Sequence, residues 1–280
     1  MTEFLPLSKL ISRDNTDLMI VSHRGEWSVE PENSIAAMTL AASMGADMVE
    51  LDVQKTTDGM LYLMHDDTTD RMTNRVGDTV SVMDTEFDTL VLRRADGGPQ
   101  AALTGVPVPT LRDALEAARG RVHLNIDTKY RRDLEAAGDL VFKMGMQDQV
   151  LIKMVVDPTN PDLTIRDASW FKGLTFMPVM LDPRPGNMAQ DAVELVQKFD
   201  AKIIEISFLS LEELDETAQQ MRALGVRMWC NTLDPVHAMD YSDARALKDP
   251  DGIWGTLIRH GIGAIQTDQT AALGRYIGRG

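Results

Sequence analysis

Eight short apolar runs, rich in β-branched residues, recur along the chain at residues 18–23, 47–53, 122–127, 150–156, 174–180, 202–207, 226–231 and 263–268. Between most of them the apolar positions switch to helical spacing. Residues 34–44 follow that spacing and stop at Gly45. Residues 110–118 open at Thr110, a good N-cap, and stop at Gly120; a third helix starts at Ser210 with a capping-box-like pattern and ends near Gly225. Strands alternating with helices predict a parallel sheet. Eight such units in 280 residues predict an α/β fold of the (β/α)8 TIM-barrel type. No Gly-x-Gly-x-x-Gly follows any run, which counts against a doubly wound dinucleotide fold.

Two stretches break the alternation. Residues 66–109 are polar and turn-rich, with Gly97-Gly98-Pro99 near their end, and read as a small insertion after strand two. Residues 233–256 form a long polar connection after strand seven. No internal repeat or interdomain linker is visible, so residues 1–280 read as one domain carrying the 66–109 subdomain.

The polar residues inside the apolar runs carry the chemistry. Glu50 and Asp52 are two apart on one strand and therefore share a face. If that face lines a barrel, two carboxylates converge where charge is costly, and they need a cation, a basic partner or a proton. Asp127 and Lys129 repeat the spacing on the next run. Three carboxylates with oxygen-only chemistry suit Mg²⁺ or Ca²⁺ better than zinc. His23 ends the first run, and the Asp58-Gly59 turn returns the chain so that His65 stands beside the second. Such a pair suits proton transfer on a phosphate ester. His123, His237 and His260 read as surface or structural. Glu205 points inward without an assigned role, Trp229 either stacks on a substrate or packs the barrel, and Asp268 reads as closing strand eight through backbone amides. Lys129 serves either as a phosphate ligand or as a counter-charge to Asp127.

Composition narrows the partners. The chain is 44% hydrophobic and 25% charged, ordinary for a globular protein, with a formal net charge of -15. That charge disfavours nucleic acid and anionic membrane surfaces and is compatible with a divalent cation. One cysteine, Cys230, precludes an intrachain disulfide. Residues 1–15 lack the pattern of a signal peptide, and no apolar run is long enough to span a bilayer. The expectation is a cytoplasmic protein with a small-molecule partner, no nucleic acid and no membrane insertion; homo-oligomer formation stays open.

Seven segments carry a family resemblance: HRG (23–25), PENS (31–34), GADMVELDVQKTTDG (45–59), MHDDTTDRMTN (64–74), LNIDTK (124–129), MWCNTLD (228–234) and GIGAIQTD (261–268). In this order they resemble the glycerophosphodiester phosphodiesterase family. The resemblance implies a (β/α)8 barrel with an insertion after strand two. It implies a divalent metal, Mg²⁺ or Ca²⁺, on Glu50, Asp52 and Asp127, and His23 and His65 as the acid-base pair. It also implies Arg24, Glu32 and Lys129 near the phosphate, and Glu205 and Trp229 join them as substrate-binding candidates. The implied reaction releases an alcohol and sn-glycerol 3-phosphate, through attack of a neighbouring hydroxyl on phosphorus and a cyclic phosphate that water opens. Two departures stand out. The third acid is usually Glu, whereas here it is Asp127, one methylene shorter. The connection after strand seven is long, and residues 234–256 are expected to cover the barrel mouth and select a bulkier alcohol. A sugar phosphodiester as substrate, a metal-dependent aldolase or isomerase, and a non-catalytic barrel are the rival readings. A secreted phospholipase D-like relative is disfavoured by the missing export signal and cysteine pairs.

Overall fold

The computed structural model describes residues 4–279; residues 1–3 and 280, which the single-domain expectation includes, lie outside the described residues. Eight parallel strands close into a barrel: β1 (Met19–His23), β2 (Met48–Lys55), β6 (His123–Thr128), β7 (Val150–Val155), β8 (Thr175–Met180), β9 (Ile203–Ile206), β10 (Arg227–Leu233) and β12 (Ile262–Thr267). Pairing of β1 with both β12 and β2 completes the ring. The remaining strands are accessory. β3 (Leu61–Leu63) folds back antiparallel on β2, β4 (Val91–Arg93) pairs with β5 (Leu103–Pro107), and β11 (Val236–His237) forms a hairpin with β10.

Most of the helices cover the outside of the ring. α1 (Leu7–Leu10) precedes β1, α2 (Ile35–Ser43) joins β1 to β2, and α3 (Asp84–Phe87) and α4 (Leu111–Ala118) lie between β3 and β6. α5 (Arg131–Lys143), α6 (Met188–Phe199) and α7 (Leu211–Leu224) follow β6, β8 and β9. α8 (Asp243–Ala246) and α9 (Thr256–Arg259) lie between β10 and β12, and α10 (Thr270–Tyr276) ends the chain. Their ends follow local chemistry. Ser34 caps α2, Thr110 and Asp113 form a capping box on α4, Ser210 caps α7, and Gly225 ends α7 in a left-handed conformation. Between β7 and β8 the crossover is only a 3-10 turn, Leu163–Asp167. Pro158 and Pro161 hold the chain before it out of the helical region.

Alternation along the strands makes two cores. The larger lies between the ring and its helices. The smaller fills the barrel interior with Met19, Val21, Met48, Leu151, Met177, Ile203, Trp229 and Ala264. Leu7, Leu10 and Ile11 plug its N-terminal end. Arg227 secures that plug by donating to the carbonyls of Ile11, Ser12, Asn15 and Asp17. With apolar side chains filling the lower barrel, polar groups are left to gather at the C-terminal mouth.

Residues 66–109 carry a 3-10 turn (Thr79–Ser81), α3 and the β4–β5 pair. They enclose an apolar cluster of their own, in which Met72, Val82, Phe87, Leu90, Leu92 and Val108 pack with Tyr62 and Met64. Among the described residues no helix is long and apolar enough to cross a membrane.

Candidate active site

Strand register brings the acids together. Asp52 of β2, Asp127 of β6 and Lys153 of β7 are level with one another across the sheet, and Glu50 stands one inward position below Asp52. Oxygens of Glu50, Asp52 and Asp127 lie within 4.8 Å of one another. Glu50 and Asp52 are buried, whereas Asp127 is partly open at the mouth. Burial and the neighbouring Asp52 charge push Glu50 well above the usual carboxylate range. Burial acts on Asp52 in the same direction, but Arg24, with His65 and His23, more than offsets it and leaves Asp52 low. Level with Glu50, the buried Asn125 amide has no protein partner on either atom. Three converging carboxylates and an unsatisfied amide fit a hard, oxygen-seeking cation such as Mg²⁺ or Ca²⁺.

Arg24 is held by β2 as well as β1. Its amide donates to the Glu50 carbonyl at 3.0 Å, its Nε lies 3.0 Å from Asp52 and its Nη1 donates to Glu32 at 3.2 Å. Asn33 locks the same corner, giving its Nδ2 to Asp52 at 2.8 Å and accepting the Asp52 amide at 3.0 Å. This tight turn needs Gly25, which sits at φ +83 where a Cβ would come within 2.6 Å of the Ala37 backbone. Glu32 is buried between Arg24 and Arg71, and Arg71 also binds Asp66 at 2.6 and 2.9 Å. Glu32 therefore joins the insertion to the barrel, and both of its oxygens are already occupied.

Each histidine is aimed by an aspartate. Asp268 accepts the Nδ1–H of His23 at 2.9 Å, and Asp66 accepts that of His65 at 2.7 Å. Both Nε2 atoms are thereby left with a lone pair, and that of His65 receives Lys129 at 3.1 Å. Asp268 does not take the strand-closing role expected of it: its carboxylate serves His23 and the Trp27 indole instead. The strand-closing role falls to Asp243, from the connection after β10. Asp243 accepts the Asp268 amide at 2.7 Å and the hydroxyls of Thr232 and Thr267 at 2.6 and 2.7 Å.

Lys129 reaches His65, and the ammonium beside Asp127 is instead Lys153, at 3.4 Å. Lys153 also binds Glu205 at 3.2 Å, and Glu205 accepts Asn231 at 2.8 Å. Trp229 takes the packing side of its two readings. Its ring is wholly buried in the barrel interior with Nε1 on Asn231, which leaves no open face for a substrate to stack on. Glu205 and Asn231 instead open onto a cavity of about 220 Å³ walled by Leu181, Pro235, Val236 and His237.

Sequence reasoning missed Lys153, Asn33, Arg71, Asp66 and Asp243. A charged residue in an apolar run had singled out Glu50 and Asp52, and the same signal marks Lys153 in VLIKMVV. Asn33 and Arg71 lay inside the quoted segments. Asp243 sits in an irregular loop and carried no pattern. His123 and His237 bond to backbone carbonyls and His260 bonds to Asp215.

Residues 23–159 match the model of the glycerophosphoryl diester phosphodiesterase family, and residues 176–277 match a second model, described as a domain of unknown function. A glycerophosphodiester phosphodiesterase of Caldanaerobacter subterraneus is 32% identical over 135 residues, 48% of this chain and 51% of that protein. One of Bacillus subtilis is 36% identical over 131 residues, 43% of this chain and 42% of that protein. The chain spans about half the length of these curated relatives. The crystal structure of glycerophosphodiester phosphodiesterase from Agrobacterium tumefaciens superposes with a TM-score of 0.69 at 26% identity, covering 92% of this chain and 99% of that one. An Oleispira antarctica phosphodiesterase, solved with the product sn-glycerol-3-phosphate, shares the fold with a TM-score of 0.67 at 21% identity, covering 95% and 99%.

Proposed function

We propose, from the premise that the chain belongs through residues 23–159 to the glycerophosphoryl diester phosphodiesterase family, that it hydrolyses a glycerophosphodiester to an alcohol and sn-glycerol 3-phosphate. The observation that carries this reading is the pair of imidazoles, His23 and His65, each oriented by an aspartate, with His23 level with Glu50 across β1 and β2. The product seen in the Oleispira antarctica protein is consistent with it.

The roles follow from geometry. Glu50, Asp52 and Asp127 would hold a divalent ion, Mg²⁺ or Ca²⁺. When bound, it supplies positive charge for the nonbridging phosphate oxygens and acidifies the attacking hydroxyl. As the neighbouring substrate hydroxyl attacks phosphorus, one imidazole Nε2 takes its proton and the other, protonated, gives one to the leaving alcohol oxygen; water then opens the cyclic phosphate with the two proton roles exchanged, which yields sn-glycerol 3-phosphate and restores both imidazoles. Asp268 and Asp66 hold the rings in the tautomer that carries no proton on Nε2, and the Nε2 of His65 becomes available when Lys129 turns from it to the phosphate. Lys129, exposed beside His65, is placed to bind the phosphate as it approaches. Arg24 and Glu32 act chiefly by fixing Asp52 and the insertion, because their charges are already paired. The cavity beside Glu205 and Asn231 is the place for the alcohol, and Pro235, Val236 and His237 of the long connection wall it.

The test is hydrolysis of glycerophosphocholine, glycerophosphoethanolamine, glycerophosphoglycerol and a sugar phosphodiester, with Mg²⁺, Ca²⁺ or chelator. Ion-dependent release of sn-glycerol 3-phosphate, lost in His23→Ala and His65→Ala, is expected. The p-nitrophenyl ester of glycerol 3-phosphate, which keeps the attacking hydroxyl and has a leaving group that needs no proton, should restore only the variant lacking the acid. No turnover by a folded, ion-loaded protein would refute the reading.

A further inference from the structure

Lys153 is a buried ammonium inside the carboxylate cluster, with 4% of its surface exposed. Burying a lysine is costly unless opposite charges surround it, and here they do. Its Nζ lies 3.2 Å from Glu205, 3.4 Å from Asp127 and 4.0 Å from Glu50, with the face of Trp229 at 5.8 Å. The ammonium is also held in place. Asn231 occupies the second oxygen of Glu205, and Trp229 in turn donates to Asn231. Two of its three carboxylate partners, Asp127 and Glu50, belong to the trio suited to a divalent ion.

Charge balance gives this contact a consequence. Four carboxylates meet at the mouth: Glu50, Asp52, Asp127 and Glu205. Two side-chain cations answer them, Lys153 and Arg24, the latter 3.0 Å from Asp52. A divalent ion balances what is left. Without Lys153 the loaded cluster would stay negative and would repel a phosphodiester anion. The ion and the ammonium also draw on the same oxygens, so each weakens the hold of the other.

We propose that Lys153 is a resident cation of this cluster: it holds Glu50, Asp127 and Glu205 together before a divalent ion arrives, weakens the binding of that ion, and keeps the loaded site open to an anionic phosphodiester. The inference rests on the reading of Glu50, Asp52 and Asp127 as metal ligands. It makes Lys153 a positioning residue that tunes the ion through Asp127 and Glu50.

The test is calorimetric titration of Mg²⁺ and Ca²⁺ into the native protein and Lys153→Met, beside KM for the preferred diester. Removing the ammonium should tighten ion binding by about tenfold or more and raise KM by about tenfold. A merely structural role would weaken both, so the opposite signs are the signature. Unchanged or weaker ion binding by a folded Lys153→Met overturns the proposal. If that variant does not fold alone, thermal melts with added ion decide. Folding restored by Mg²⁺ or Ca²⁺ supports a resident cation, and no restoration at ion levels that saturate the native protein overturns it. Failure of the native protein to bind either ion would overturn the metal-ligand reading and this proposal together. A failure confined to the comparison with the variant overturns this proposal alone.

Discussion

Asp268, at the end of the last barrel strand, accepts the Nδ1–H of His23, at the end of the first, at 2.9 Å. Closure of the ring brings together two groups 245 residues apart. An imidazole aimed this way is held in one tautomer and stabilised when it takes a proton. Asp268→Asn should therefore lower kcat by about 10² to 10⁴-fold. Asp268 is not among the carboxylates proposed to hold the ion, so ion affinity measured calorimetrically should stay as in the native protein. A fall in ion affinity matching the loss of rate would show that the substitution had damaged the whole mouth.

Asp243 supports Asp268 from below and gives a pH signature. Burial is the main cause that raises it to about 6, with its three donors only partly offsetting that cost. Its value in an unfolded chain is about 3.9. The folded chain thus binds this proton more tightly, and the stability from Asp243 is full below about pH 4 and lost as pH rises through about 6. The loss is roughly 3 kcal/mol. Asp243→Asn carries no such charge. Urea unfolding of both proteins should show native stability falling relative to the variant by about 2 kcal/mol between pH 4 and pH 7. A constant difference would mean that Asp243 stays ionised throughout.

Gly25 lets α2 pack against the turn that carries Arg24. Gly25→Ala would place a methyl group 2.6 Å from the Ala37 carbonyl carbon on a residue at φ +83. Strain and overlap together should cost about 2–4 kcal/mol in denaturant unfolding. Activity should fall as well, because Arg24 and Asn33 are both bonded to the β2 carboxylates.

Arg71 bridges the insertion to the barrel through Asp66 and the buried Glu32. Arg71→Ala leaves Glu32 with Arg24 alone and frees Asp66, which orients His65. Leaving a buried carboxylate short of a partner should cost about 3 kcal/mol. Residues 66–109 should also become more accessible to limited proteolysis before the barrel does. A proteolysis pattern like that of the native protein would refute this role.

The site was legible in the sequence where a polar residue interrupts an apolar run. Glu50, Asp52, His23 and His65 stood out because a strand places every second residue on one face, and a buried charge there needs a partner. The ring of eight strands was legible for the same reason, since its period and its helix signals are local. Partner choice was not. Lys129 and Lys153 both follow apolar stretches, and only the level pairing of β6 with β7 decides that Lys153 meets Asp127 while Lys129 reaches His65. Trp229 had two readings until the barrel interior buried its ring.

What the amino-acid order determined alone was therefore the alternation of elements, their caps and which strands carry charge, because hydrogen bonding and burial act over a few neighbouring residues. What only the tertiary structure decided was which carboxylate faces which cation. Arg24 and Asp52, Arg71 and Glu32, and Lys153 and Glu205 are far apart in the chain. Their interaction depends on distances of a few ångströms that strand register and barrel closure create, and a charge pair separated in sequence leaves no local pattern to read.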